Sequence, residues 1–213
     1  MIIDCISDLH GNYPKLEGGD LLIIGGDLTK RDENMEYDEL FNWLDYLPYK
    51  EIILIAGNHD NKIQEGIAVF DDVKYLCDSG TEFEGLKIWG SPWTKTFKGM
   101  NKKCMAFTFD KEEDLANKFD LIPDDIDILI THSPPYGILD ECAQGDYIIN
   151  VGSPSLRGRL EKCRPKYHIF GHIHEHGGQQ VLLKHIGPNT LCINASHVDE
   201  WYRPINKPVR IEV

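Results

Sequence analysis

Short apolar runs closed by polar residues punctuate this chain at 2–6, 21–24, 52–56, 126–130 and 167–170. Each is rich in Ile or Leu and too short for a helix, which predicts buried strands. The pattern changes over 35–47, where Leu40, Trp43, Leu44 and Leu47 recur at helical spacing and Pro48 stops the run. Residues 111–119 and 155–163 are further helix candidates. Segment 81–89 reads as a hairpin turning at Glu84-Gly85. Segments 180–183, 190–194 and 209–213 read as more strands. Parallel-type and hairpin-type strands mixed with helices predict an α/β sandwich, in one domain over 1–213, rather than a purely parallel sheet. Segment 92–110 is the longest stretch without periodicity and reads as a loop near a site.

The predicted strands share an ending. The first runs into Asp8-Leu9-His10-Gly11-Asn12 and the second into Gly25-Gly26-Asp27. The third runs into Gly57-Asn58-His59-Asp60, the 126–130 strand into Thr131-His132, and the 167–170 strand into Gly171-His172-Ile173-His174. In open α/β sheets, sites form beyond the carboxyl ends of the strands. These ends would bring Asp8, His10, Asp27, Asn58, His132, His172 and His174 together. Carboxylate, imidazole and amide oxygen suit Mn, Fe, Zn, Co or Ni, with Mn favoured. The lack of thiolate argues against structural zinc. Seven donors are too many for one tetrahedral ion, whereas two ions sharing a carboxylate account for the number. Gly25, Gly26, Gly57 and Gly171 precede the donors and allow close backbone approach.

Composition narrows the partners. The 213 residues carry a formal charge of -13, with a pI near 5.0. Such a surface repels polymeric nucleic acid but not a small anion met by bound cations. The six cysteines, at 5, 77, 104, 142, 163 and 192, form no C-x-x-C pair and read as free thiols. Neither a signal peptide nor a run long enough to span a membrane is visible, so the expected compartment is the cytoplasm. The oligomeric state stays open, a homodimer included.

The order D-x-H, GD, GNHD, an isolated His and GHxH resembles the calcineurin-like metallophosphoesterase superfamily, over about four fifths of the chain. Ala-Gly-Asn-His-Asp at 56–60, Gly-Ser-Pro-Trp-Thr at 90–94, the 126–135 segment ending Thr-His-Ser-Pro-Pro, the 164–171 segment and Ile-Asn-Ala-Ser at 193–196 resemble the brain-type metallophosphoesterase-domain proteins. Those are similar to the class III cyclic nucleotide phosphodiesterases. The resemblance implies a β-sandwich of two mixed sheets flanked by helices. It implies that Asp8, His10 and His174 hold one ion, that Asn58, His132 and His172 hold the other, and that Asp27 bridges them. It further implies that His59 acts on the phosphate without being a ligand, and that Asp60 orients His59. Some brain-type members carry Gly at the position of His172; here the His is present, and full activity is expected. His-Gly-Asn at 10–12 is similar to the protein-phosphatase branch, which makes Asn12 a candidate for substrate binding.

The expected reaction is hydrolysis of a small phosphodiester, such as a cyclic nucleotide, by an activated water attacking in line, with His59 assisting. A phosphomonoesterase or protein phosphatase shares the same core; a non-catalytic binding module of this fold would typically lack one of these residues. Segments 92–104 and 134–150 are the candidates for substrate choice. Of the other histidines, His168 reads as structural, His176 and His197 as candidates for the site rim, and His185 as surface.

Overall fold

The computed structural model describes residues 1–97, 100–184 and 187–213. His185 lies outside the described residues. The strands are β1 (Ile2–Ile6), β2 (Gly19–Gly25), β3 (Tyr49–Ile55), β4 (Lys74–Tyr75), β5 (Ser79–Phe83), β6 (Leu86–Ser91), β7 (Thr94–Lys95), β8 (Thr108–Phe109), β9 (Ile128–Thr131), β10 (Glu141–Gln144), β11 (Tyr147–Asn150), β12 (Tyr167–Phe170), β13 (Gln180–Leu183), β14 (Thr190–Asn194) and β15 (Val209–Glu212). The helices are α1 (Asn34–Asp45), α2 (Asn61–Gln64), α3 (Glu112–Phe119) and α4 (Pro154–Cys163).

Two mixed sheets face each other, in the orders β15-β1-β2-β3-β4 and β13-β14-β12-β9-β6-β5. Side chains alternate across each strand, so a run that is apolar throughout has both faces buried. Ile3, Cys5, Leu21, Ile23, Ile53 and Ile55 meet Ile88, Ile128, Ile130, Ile169 and Ile193 between the sheets. The alternate residues of the first sheet, Ile6, Leu22, Ile24 and Leu54, face outward against Tyr37, Leu40 and Leu44 of α1. On the second sheet Leu129, Phe170 and Cys192 pack against Leu115 and Phe119 of α3 and Leu156 and Leu160 of α4. The outcome is the expected α/β sandwich with helices outside.

Most predicted elements appear with their ends shifted by a few residues. The 81–89 hairpin turns at Glu84-Gly85, both with positive φ (46° and 84°), as a tight two-residue turn requires. Two features were not read from the pattern. Segment 92–110 contains the short parallel pair β7–β8, and segment 134–150 carries the hairpin β10–β11. The parallel pairs β1–β2, β2–β3, β6–β9, β9–β12 and β12–β14 point their carboxyl ends to one edge of the sandwich. The chemistry-bearing residues gather there.

Candidate metal centre

The loops leaving β1 and β2 are laced to each other by main-chain bonds, and the loop leaving β3 joins them through Asp27 and Asp60. Asp8 donates its N–H to the carbonyl of Gly26 (2.9 Å) and His10 to that of Asp27 (3.0 Å). Asp8, His10, Asp27 and His172 all lie in the left-handed region, with φ of 53°, 44°, 50° and 68°. For residues with a Cβ this costs on the order of 1 kcal/mol each, and such strain concentrates at functional sites. It turns four polar side chains into one space. Two glycines leave room for them. A Cβ on Gly57 would come within 2.2 Å of Asp27 Oδ1, and one on Gly171 within 1.9 Å of Asp8 Oδ2.

The donors form two adjoining groups. In the first, His174 Nε2 lies 3.3 Å from Asp8 Oδ1 and 3.2 Å from His10 Nε2. In the second, His132 Nε2 lies 3.1 Å from Asn58 Oδ1 and 3.4 Å from Asp27 Oδ1, with the His172 ring 4.9 Å away between centroids. Asp27 stands between the groups, its Oδ2 3.6 Å from His10 Nε2. One oxygen of Asp27 thus faces each group.

The surrounding hydrogen bonds show what this arrangement needs. His132 Nδ1 meets the Gly25 carbonyl at 3.0 Å, so that nitrogen carries a proton and a neutral ring turns a bare Nε2 inward. Asn58 donates Nδ2–H to the Cys104 carbonyl (3.2 Å), leaving its oxygen in the site. A ring lone pair, an amide oxygen and a carboxylate oxygen therefore converge within hydrogen-bonding range without a proton between them. That is repulsive unless a positive charge sits among them, which a divalent cation supplies. Without one, the protein draws a proton instead. Burial disfavours the charged His132 ring, but Asp27 and Asp8 overcome it and push the pKa up to about 9. His10 and His172 are pressed down to about 3, mainly by burial, and so stay neutral donors. Asp8 receives outer support from Ser196 Oγ (2.7 Å) and from the His172 N–H (3.0 Å). The residues present fit a pair of transition-metal ions.

His59 sits beside this cluster, its side chain 12% exposed and its Nε2 4.0 Å from Asp27 Oδ2. Its orientation comes from an unexpected source. Nδ1 donates to the Lys30 carbonyl at 2.9 Å. Asp60, expected to orient His59, does not face the ring. Its carboxylate is wholly buried and accepts the N–H groups of Leu28 (3.1 Å), Thr29 (3.0 Å) and Gly57 (2.8 Å). It ties the β2 loop to the β3 loop. Asn12 also departs from expectation. Its Nδ2 donates to the carbonyls of Leu9 (3.0 Å) and His10 (3.3 Å), bracing the turn, and the residue is not among those lining the cleft over the cluster.

A cleft of about 620 Å³ opens over Asp27, Asn58, His59, His172 and His174. Its walls include Thr94–Phe97 (residues 94–97) and, across from them, Tyr136, Cys142–Gln144 (residues 142–144) and residues 149–152. The two segments expected to govern substrate choice thus both border it. His176 and His197 are not among the lining residues; His197 Nδ1 instead donates to the Asn206 carbonyl (2.6 Å). His168 is fully buried and bonded to Thr131 Oγ1 (2.8 Å), a structural role as read from the sequence. Sequence reasoning missed Tyr202, which lines the cleft and packs its ring near His10, His59 and His174. No spacing or motif marks it; only the loop carrying it back to the site reveals it.

A sequence profile described as calcineurin-like phosphoesterase matches residues 1–176. Human metallophosphoesterase domain-containing protein 1 is 32% identical over 98% of this chain and 70% of its own length. The Caenorhabditis elegans UPF0046 protein C25E10.12 is 30% identical over 98% of this chain and 79% of its own. Among solved structures, purple acid phosphatase PPD1 from yellow lupin (Lupinus luteus) seeds superposes with a TM-score of 0.52 at 12% identity, over 97% of this chain and 46% of that one, a likeness of fold alone.

Proposed function

Because this chain belongs to the calcineurin-like phosphoesterase family, in the branch of metallophosphoesterase domain-containing protein 1, we propose that it is a phosphodiesterase acting on small diesters, cyclic nucleotides among them. In this reading one domain spans 1–213, since β15 returns to pair with β1 and closes the first sheet. Asp8, His10 and His174 hold one divalent ion, Asn58, His132 and His172 hold the other, and Asp27 serves both. The observation that carries the reading is the placement of Asp27, with one oxygen toward each histidine group. Ions bound there supply Lewis acidity toward phosphoryl oxygens and lower the pKa of a water into the neutral range.

The chain's own residues supply the rest. The Lys30 carbonyl fixes the His59 proton on Nδ1 when the ring is neutral. When the ring takes up a further proton, it is carried on Nε2, the nitrogen 4.0 Å from Asp27 Oδ2. From there it stabilises charge on a phosphoryl oxygen and passes to the departing alkoxide. Burial of Asp8, Asp27, His10 and His132 keeps bulk water from the donors and strengthens their electrostatics. The walls formed by 94–97 and 136–152 hold the leaving group. Manganese is the favoured ion. The six unpaired thiols support a reducing compartment, the cytoplasm.

The test strips the protein with a chelator and restores Mn²⁺, Ni²⁺, Co²⁺ or Zn²⁺ one at a time. Each form is assayed on bis(4-nitrophenyl) phosphate and 4-nitrophenyl phosphate. Metal-dependent turnover with a higher kcat/KM for the diester is expected. A preference for the monoester would make the protein a phosphomonoesterase on the same core. No turnover and no bound metal would return it to a binding module.

A further inference from the structure

Tyr202 has a left-handed backbone (φ 62°), a conformation that a bulky side chain adopts only when its surroundings impose it. The surroundings here are a compact clamp. The Tyr202 N–H donates to the Asp199 carbonyl (2.8 Å), and the Asp199 N–H to that of Arg203 (3.0 Å). The Asp199 carboxylate is 3% exposed and accepts the N–H groups of Trp201 (3.0 Å) and Arg203 (2.9 Å) and the Arg203 guanidinium (2.6 Å). Ahead of this turn, the His197 N–H donates to the Ser7 carbonyl (2.8 Å), one residue before Asp8. The loop is therefore moored to the floor of the site, and it holds one strained residue over the cleft.

The ring of Tyr202 meets His10 and His174 edge-on, at 4.8 and 5.4 Å between centroids, and lies 6.3 Å from His59. Lys30 places its ammonium 5.0 Å from the ring centroid. A cation over the ring helps to hold it where it lies. A phenylalanine would pack as well against the same rings. The hydroxyl alone lacks an account in the packing. It has no hydrogen-bond partner among the described residues, and the side chain lines the cleft together with Asp27, Asn58 and His59.

We propose that Tyr202 is a substrate-contact group whose phenol donates a hydrogen bond to a nonbridging phosphoryl oxygen, beside His59. This inference rests on the phosphoesterase reading for its ligand. The strained turn holds the hydroxyl in place before the ligand arrives, so little ordering remains to be done on binding.

The experiment compares the Mn²⁺-loaded wild type with Tyr202→Phe, which keeps the ring. KM and kcat are measured with bis(4-nitrophenyl) phosphate, and the dissociation constant of inorganic phosphate by calorimetry. Bound metal and thermal midpoint are recorded for both proteins. A charge-assisted hydrogen bond lost without other change predicts a rise of about tenfold in KM and in the phosphate dissociation constant. Metal content and midpoint should match the wild type. A variant within about twofold of the wild type in both constants overturns the proposal. So does a variant that loses metal, because Tyr202 would then only buttress His10 and His174. A wild type that binds phosphate without hydrolysing the diester refutes the diesterase reading, yet still decides Tyr202 through the binding constant. A wild type that does neither overturns both.

Discussion

His59 donates Nδ1–H to the main-chain carbonyl of Lys30 at 2.9 Å, so the reactive nitrogen of the ring is set by backbone rather than by an acidic side chain. That backbone is itself held. Glu36 accepts the N–H groups of Lys30 (2.9 Å) and Arg31 (3.0 Å), and it closes a capping box with Glu33 at the start of α1. A neutral carbonyl thus orients the imidazole at Nδ1, while the Asp27 carboxylate stands 4.0 Å from Nε2. The proposed role of His59, an acid toward the leaving oxygen, uses the nitrogen that this bond leaves open.

His59→Ala is expected to lower kcat on bis(4-nitrophenyl) phosphate by about 10² to 10⁴, the usual worth of a positioned acid. Bound metal should not change, since the seven donors remain. Measuring metal content alongside turnover separates the two roles. An inactive variant that has also lost metal would make His59 a ligand, and unchanged turnover would remove it from the chemistry.

Asp60→Asn should behave in the opposite way. The buried carboxylate accepts the N–H groups of Leu28, Thr29 and Gly57, and an amide would turn donor hydrogens against one of them. Leaving a buried donor unpaired in this way costs about 1–3 kcal/mol. We expect urea unfolding of the metal-free protein to show that loss, with any fall in activity recovered by raising metal concentration. Full stability with a kcat as low as that of His59→Ala would give Asp60 the catalytic role that its geometry argues against.

How much of this was legible in the sequence differs from residue to residue. That the candidate donors gather in one place was readable because each follows an apolar run or a glycine, and strand carboxyl ends share one edge of the sandwich. The partners of Asp60 and Asn12 were not. A carboxylate after Gly-Asn-His and an amide after His-Gly can each face a substrate or brace a turn. Only the position of the Leu28, Thr29, Leu9 and His10 backbone decides between these. Tyr202 was invisible for a different reason. It reaches His10 through a loop anchored at Ser7 and closed by Asp199, a contact across almost the whole chain that leaves no local period. The hairpin β10–β11 was missed because its strands are largely exposed and lack the apolar alternation that marks a half-buried strand.

Gly171→Ala isolates the demand for space. A methyl there would lie 1.9 Å from Asp8 Oδ2 and 2.3 Å from Ser7 Oγ, and no positive φ calls for glycine otherwise, so both side chains would have to shift. Asp8 would have to turn away from Ser196 and the His172 N–H. The variant should fold, bind Mn²⁺ at least about tenfold more weakly, and lose activity in proportion, because outer support of a ligand is worth that much in affinity. Titration of Mn²⁺ into the stripped protein is the measurement. Wild-type affinity would mean that Asp8 is not held where the close approach places it.

Acid sensitivity should be traceable to Asp4, which is not one of the candidate metal donors. Asp4 is 3% exposed on β1 and meets the Arg210 guanidinium of β15 through two bonds of 2.8 Å, with the Tyr49 hydroxyl donating at 2.5 Å. Burial alone would raise its pKa, but the bonds from Arg210 and Tyr49 and the Arg210 charge bring it below the ordinary carboxylate value. A depressed folded pKa means that the unfolded chain takes up the proton first. The stabilisation is therefore complete above the unfolded value of about 4 and is lost as pH falls through the folded one. Asp4→Asn should cost about 1–3 kcal/mol near neutrality, and the gap to the wild type should narrow steadily from about pH 4 downward. Urea unfolding of both proteins, stripped of metal so that ligand protonation does not intrude, checks this between neutrality and that range. A gap that stays constant throughout would show that Asp4 contributes through shape, with its charge doing nothing to join β15 to β1.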